Sequence, residues 1–154
     1  MGTERMADSD FAAWMQEEHK ALAALTKVLR SHIAAVPEGA LGTWLDSLKA
    51  GFGRLKAHLE RNFDAQESEG YLSHLVESRP ALAGQIERSK QEHAELRRLA
   101  ERIAKELNEI RPAERLLVQD ACARIEHFAA IVAQHEQREN MIAMFVFNED
   151  IGGD

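Results

Sequence analysis

One amphipathic stretch constrains the fold of this chain more than any other feature of its sequence. Between residues 125 and 146, core-type positions recur at alternating steps of three and four, which places them on one face of an α-helix. The face consists of Ile125, Phe128, Val132, His135, Glu139, Ile142 and Val146. His135 and Glu139 interrupt this apolar face, and burying an imidazole or a carboxylate is costly unless a partner compensates it. The stretch therefore predicts a core helix that needs a metal ion or other polar partners at these two positions.

Three earlier segments repeat this helical periodicity, and short breaks at Pro37, Pro80 and Pro112 separate the segments. The predicted helices cover residues 10–35, 41–77, 80–109 and 113–147. No alternating apolar run with hairpin residues occurs, so no strand is predicted. Four helices with short connections predict an all-α fold, an antiparallel up-down-up-down four-helix bundle. We expect one domain over residues 1–154, with short irregular termini at 1–9 and 148–154.

Composition and charge argue against several classes of function. The net charge of −7 disfavours a nucleic-acid surface, and the sequence lacks the run of about 18 apolar residues that would span a membrane. The amino-terminal residues lack the apolar core of a signal peptide, so a cytoplasmic location is expected. Cys122, the single cysteine, excludes an internal disulfide and a thiolate cluster. No nucleophile triad, phosphate loop or dinucleotide motif is found, so no enzyme activity is predicted.

Histidines supply the candidate metal ligands. The chain has seven of them, and each predicted helix carries at least one on or beside its apolar face. His19, His58, His93 and His135 occupy these positions on the four helices in order. Together with Glu139 they form the kind of donor set from which helical bundles build iron or manganese sites. The residue pattern alone leaves a set of unrelated, hydrogen-bonded histidines equally open.

Distances from the connecting turns indicate which histidines can face each other. His19 and His58 lie at nearly the same distance from the first turn. Across the last turn, the depths of His93 and His135 differ by about 9 Å at a rise of about 1.5 Å per residue. An irregular connection or a helix tilt must absorb this difference, or His127 faces His93 instead.

Five short motifs in the sequence have an arrangement that is typical of one family. They are Glu18-His19, NFDAQESEGYL at 62–72, Glu92-His93, HEQREN at 135–140 and NEDIGGD at 148–154. In these motifs, nearly the whole chain resembles the haemerythrin-like, or HHE cation-binding, bacterial domain. The resemblance implies a non-haem di-iron centre that serves oxygen, nitric oxide or redox sensing, or iron handling.

The motif on the second predicted helix departs from the pattern of this family. Relatives have histidine-Phe-x-x-Glu-Glu-x-Gly-Gly-Tyr here. This chain has Asn62 at the histidine, Gln66 at the first glutamate and Glu69 at the first glycine. In the family that glutamate would bridge two metal ions, and a neutral amide is a weaker donor. Two substitutes are conceivable, namely His58, one turn before the asparagine, and Glu67, next to the glutamine.

Two functions are compatible with these residues. The first is a metal-binding protein with an altered, weakened site for non-haem iron. Its predicted ligands are His19, His58, Glu67, His93, His135 and Glu139. The alternative is a metal-free bundle that serves as an interaction module, in which Asn62 and Gln66 hydrogen-bond the histidines and Glu139 directly. The predicted cofactor is therefore iron, as a pair of ions, as a single ion, or as none.

Overall fold

The computed structural model describes residues 8–68 and 71–152, and these residues form helices joined by short connections. Five α-helices are present in this part: α1 (Asp8–Ile33), α2 (Leu41–Ser68), α3 (Tyr71–Ser78), α4 (Ala83–Glu109) and α5 (Arg115–Gly152). A short 3₁₀ turn at Pro80–Leu82 leads into α4. No strand occurs among the described residues, which confirms the predicted all-α class.

The prediction of one helix over residues 41–77 was wrong, since the structure has two helices there, α2 and α3. The apolar repeat continues into α3, where Tyr71, Leu72 and Leu75 are buried, so the periodicity gave no sign of a break. Gly70 stands between the two helices in the sequence, and after proline, glycine is the residue least favourable to a helix interior. α3 packs against α2 and α4 as a separate short helix.

The other helix boundaries lie close to the predicted ones. α4 begins at Ala83 rather than at Pro80, because the proline occupies the 3₁₀ turn that precedes the helix. Residues 8–9 and 148–152, which were predicted to be irregular, are helical. The remaining residues of the predicted irregular termini lie outside the described part of the chain.

Two apolar clusters form the core. The larger cluster contains buried side chains from all four long helices, among them Leu55 on α2 and Phe128 on α5. The smaller cluster joins α1, α3, α4 and α5 through residues such as Met15 and Leu75. The long helices pack in a closed order, because α1 and α4 each contact both α2 and α5. Among the described residues, no helix is apolar over enough of its length to cross a membrane.

A layer of polar side chains separates the two apolar clusters. On α4, Ile86 belongs to the smaller cluster and Leu96 to the larger one, and His93 lies between them. α5 repeats this arrangement around His135 and Glu139. The polar positions that interrupt the apolar repeats therefore meet at one level of the fold, which we call the polar layer.

The larger cluster can be tested by removing a side chain from it. Leu55 is 0% exposed, whereas Val28 on α1 is 64% exposed. We expect Leu55→Ala to lower the free energy of unfolding by about 2–5 kcal/mol, because the truncation leaves a cavity that the packed helices cannot fill. Val28→Ala, the control, is expected to change it by less than about 0.5 kcal/mol. Urea unfolding followed by circular dichroism measures both, and equal effects would contradict the packing.

Candidate metal centre

The polar layer contains six polar side chains that are almost completely buried. They are Asn62, Gln66, Ser89, His93, His135 and Glu139, and none is more than 6% exposed. α2 supplies the two amides, α4 the serine and one histidine, and α5 the other histidine and the carboxylate. Buried polar groups persist in folded proteins when they pair with one another or with an ion. Here the contacts converge on Glu139.

His93, His135 and Glu139 form the first group of potential metal ligands. Nε2 of His93 lies 2.8 Å from Oε2 of Glu139, and Nε2 of His135 lies 3.2 Å from the same oxygen. The two imidazole rings are 4.9 Å apart, with an interplanar angle of 73°. The ligand atoms of the three side chains all lie within 4.8 Å of one another, so this group could hold one metal ion.

His19, Glu136 and Glu139 form a second group of the same kind. His19 comes from α1 and Glu136 from α5, and Nε2 of the first lies 2.8 Å from Oε2 of the second. Their side chains are 18% and 15% exposed, so this group lies nearer to the surface than the first. Glu139 belongs to both groups and therefore connects them.

Several potential metal-ligand atoms in and beside these groups are buried but have no hydrogen-bond partner among the described residues. They are Nε2 of His19, His58 and His135, and Oε2 of Glu136. Each of the three nitrogens lies 2.8–3.2 Å from a carboxylate oxygen without the geometry of a hydrogen bond. Buried polar atoms are nearly always paired, so donors that converge without bonding each other fit a shared cation.

Two carboxylates outside the layer hold the outer nitrogens of the buried histidines. Nδ1 of His93 lies 2.5 Å from Oε2 of Glu67, and Nδ1 of His135 lies 2.7 Å from Oε1 of Glu92. A carboxylate in this position places the proton of a neutral imidazole on Nδ1 and leaves Nε2 free to bind a metal. Glu67 therefore contacts His93 on the side that faces away from Glu139.

An arginine in turn holds each of these outer carboxylates. Nη1 of Arg97 lies 3.4 Å from Glu67, and its Nη2 lies 2.9 Å from Asp64. Arg138 contacts Glu92 at 3.1 Å through Nε and at 2.7 Å through Nη2. The positive charges of both arginines are thus compensated outside the polar layer, and each buried histidine ends a chain of arginine, glutamate and imidazole.

Phe63 fixes the planes of the two buried imidazoles by packing. Its ring stacks on His93 at a centroid distance of 4.0 Å and an angle of 14°. It meets His135 edge-on at 5.6 Å and 84°. Because Phe63 is itself 0% exposed, neither histidine can rotate without disturbing the core.

The two amides of α2 form hydrogen bonds with each other and with carboxylates. Nε2 of Gln66 lies 2.6 Å from Oδ1 of Asn62 and 3.4 Å from Oε1 of Glu139. Nδ2 of Asn62 donates to Oε2 of Glu18 at 3.2 Å. In the described part of the chain, neither amide forms a hydrogen bond to a histidine. The contacts that the metal-free alternative requires are thus found at Glu139 but not at the imidazoles.

Charges within and beside the layer shift the pKa values of Glu139 and His135 in opposite directions. Burial alone would raise the pKa of the Glu139 carboxyl, but the imidazoles of His135 and His93 outweigh it and hold that pKa well below its usual range. Burial alone would lower the pKa of His135, but the carboxylates of Glu139 and Glu92 raise it above its usual value. Glu139 is therefore ionised at neutral pH, which is the form that binds a metal.

The structure brings four of the six predicted ligands into the two groups, namely His19, His93, His135 and Glu139. His58 instead faces Glu18 at 3.0 Å, and Glu67 contacts the outer nitrogen of a histidine. Neither belongs to a group among the described residues, and their role as metal ligands stays a prediction. Glu69, the other departure from the family motif, lies outside the described residues.

The pairing across the last turn involves His135 and not His127. The rings of His93 and His135 are in contact, whereas His127 is exposed and lines a groove with Arg102. Part of the expected difference in depth disappears because α4 ends at Glu109 and α5 begins only at Arg115. The irregular connection between α4 and α5 therefore accounts for part of the depth difference that was counted from the turn.

Three residues that contact the potential ligands were not predicted from the sequence, namely Glu136, Glu92 and Ser89. Oγ of Ser89 donates to Oε2 of Glu139 at 3.2 Å, and the two glutamates contact His19 and His135. Both glutamates lie next to a histidine in the sequence, at Glu92-His93 and His135-Glu136. That adjacency is a signal, although a glutamate beside a buried position is also the ordinary composition of a solvated helix face.

Among the described residues, the fold is all-helical and carries two groups of histidine and glutamate side chains that could hold a cation. The chain matches the family model of the hemerythrin HHE cation binding domain over residues 10–144. It therefore belongs to this family, as its motifs predicted. No curated protein and no solved structure shows significant similarity to the chain.

The charge pairs of the layer predict how the stability of chelator-treated protein depends on pH. The lowered pKa of Glu139 stabilises the fold above about pH 4.5 and loses this effect as the pH falls. The raised pKa of His135 stabilises it below about pH 6.5 and loses this effect as the pH rises. The melting temperature is therefore expected to be higher at about pH 5.5 than at about pH 8.

A pair of histidine variants on α5 separates this effect from the general charge of the protein. His135→Gln should flatten the difference between the two pH values, whereas His127→Gln, at an exposed position, should leave it unchanged. Differential scanning fluorimetry in the presence of chelator measures all three proteins. A slope that persists in His135→Gln would contradict the assignment.

Proposed function

We propose that this HHE protein binds non-haem iron in its polar layer. His93, His135 and Glu139 hold one ion, and His19 belongs to the second group, which shares Glu139. The observation that carries the proposal is the convergence of buried imidazole nitrogens and carboxylate oxygens, among which Nε2 of His19, Nε2 of His135 and Oε2 of Glu136 have no hydrogen-bond partner in the described part of the chain. Membership of a cation-binding family supports it independently.

The donor set favours iron or manganese over softer metals. Imidazole and carboxylate are the ligands by which helical bundles bind these two ions, and the described groups contain no thiolate. An iron ion would supply redox chemistry and affinity for a small molecule such as oxygen or nitric oxide. The protein residues would orient the imidazoles through Glu67 and Glu92 and keep the first group shielded from solvent.

The proposal includes an up-down-up-down course of the four long helices, for which pairs of contacts provide support. The contacts are Glu18 with His58 and His32 with Trp44 between α1 and α2, and Glu92 with His135 and Glu106 with Arg124 between α4 and α5. In both helix pairs, residue numbers rise along one helix as they fall along the other. Antiparallel neighbours have this pattern, and it brings donors from α1, α4 and α5 to one level.

Metal content and thermal stability test the proposal. Untagged protein from iron-supplemented cells is expected to contain iron. Its melting temperature should fall by about 5–10 °C when chelator removes an ion whose free concentration was about 100 times its Kd. Glu139→Gln should abolish both iron content and the effect of chelator, because it removes the carboxylate common to both groups. Glu126→Gln is the control, since that carboxylate lies on the same helix but is 52% exposed.

Two results would contradict the proposal. One is less than about a tenth of a metal ion per chain by mass spectrometry. The other is a melting temperature that chelator does not change, which would favour the metal-free bundle with its hydrogen bonds between Gln66, Asn62 and Glu139.

The contacts of the outer carboxylates predict that removing one of them weakens metal binding without abolishing it. Glu92→Gln is expected to weaken iron binding by about 10–100-fold, because the amide no longer fixes the proton and orientation of His135. Glu95→Gln is the control on the same helix, where the carboxylate is 64% exposed and pairs with Arg98 at the surface. Competition with a chelator of known affinity measures both. An effect in Glu92→Gln no larger than in the control would assign Glu92 to the surface charge alone.

A further inference from the structure

We propose that Glu136, together with His19 and the shared Glu139, forms a second cation position, and that Glu136 takes the place of the carboxylate that α2 lacks at Gln66. This inference rests on the proposed metal-binding function and extends it to a residue that lies outside the apolar face of its helix. It assigns to this position a divalent first-row ion that accepts one imidazole and two carboxylates.

The contact between His19 and Glu136 has the distance of an ion pair but not the alignment of a hydrogen bond. The two atoms lie 2.8 Å apart and are inaccessible to solvent, yet neither has a hydrogen-bond partner in the described part of the chain. A hydrogen-bonded pair would direct the imidazole N–H at the carboxylate oxygen. Two donor atoms that approach each other without this alignment instead leave their lone pairs available to a third atom. A metal ion is the partner that satisfies both.

The geometry of α5 explains why Glu139 can serve both positions. Residues three and four apart on a helix are neighbours on its surface, so Glu136 and His135 flank Glu139 on different sides. His93 of α4 contacts Oε2 of this carboxylate at 2.8 Å, and His19 of α1 belongs to the second group, which shares the same carboxylate. A carboxylate that belongs to two groups of ligand atoms could serve an ion in each.

The surroundings of the second position differ from those of the first. A groove of about 400 Å³ between α1 and α5 is lined by His19 and Glu136, together with apolar residues such as Leu22 and Val132. The buried histidines of the first group have side chains that are at most 1% exposed. An ion in the second position would therefore exchange with solvent through this groove and would be the first ion removed by a chelator.

The position of Gln66 allows a specific test, in which a carboxylate introduced on α2 compensates for the loss of Glu136. Its Nε2 lies 3.4 Å from Oε1 of Glu139, so a carboxylate at position 66 would stand beside the same ligand. If Glu136 supplies the charge that α2 lacks, a glutamate introduced at position 66 should replace it. A structural role of Glu136 in joining α1 to α5 would not be rescued from α2.

The experiment measures iron stoichiometry after anaerobic addition of ferrous iron and desalting. Wild-type protein and the Glu126→Gln control should retain about two ions per chain, and Glu136→Gln about one. His19→Gln, which changes the same position from α1, should lose the same ion. The double variant Glu136→Gln with Gln66→Glu should return to about two ions. Circular dichroism and urea unfolding establish that each variant is folded.

The outcomes separate this inference from the proposed function. A wild-type protein that holds one ion, with Glu136→Gln and His19→Gln unchanged, overturns the second position and leaves the first. A wild-type protein that holds no ion overturns both. Loss of one ion in Glu136→Gln without any recovery in the double variant overturns the replacement of the α2 carboxylate. Loss in Glu136→Gln and His19→Gln with recovery in the double variant supports the whole inference.

Discussion

The buried carboxylate of Glu139 is the group on which the rest of the structure depends. An anion that is 3% exposed costs several kcal/mol between two apolar clusters unless charges and hydrogen bonds compensate it. α4 and α5 each supply an imidazole, Ser89 supplies a hydroxyl at 3.2 Å, and Gln66 supplies an amide at 3.4 Å. Because these groups come from three helices, the register of α2, α4 and α5 is fixed at this level. A slip of one residue on any of them would leave a buried charge without its partners.

Sequence periodicity could identify three members of the layer because each breaks an apolar repeat. His93, His135 and Glu139 occupy core positions of their helices, where a polar side chain is an anomaly that requires a partner. Glu136 could not be found in this way, since it lies beside the apolar face, where a charged residue is ordinary. Only the packing of α1 against α5 brings it to His19. A pattern within one helix cannot report a contact that the angle between two helices creates.

The fold class followed from the same periodicity, whereas the division of residues 41–77 into α2 and α3 did not. Over residues 41–77, the buried residues of α3 continue the apolar repeat of α2, and a repeat reports which face is buried rather than whether the helix is continuous. The depth difference of about 9 Å between His93 and His135 was expected to require an irregular connection, a helix tilt or a contact from His127 instead. Residues 110–114 belong to neither α4 nor α5 and account for part of the difference, but a count from the turn could not decide between these alternatives.

The placement of donors gives a physical reason why this chain can carry amides on α2. Outer carboxylates on α2 and α4 orient the buried histidines, and arginines compensate those carboxylates, so the inward charge of the layer is set mainly by α5. With Glu136 and Glu139 both on that helix, two anions and one imidazole lie within little more than one turn. α1 and α4 then need to contribute only one histidine each. In this arrangement α2 presents the neutral amides of Asn62 and Gln66 to the layer, and the carboxylates of both potential ligand groups come from α5.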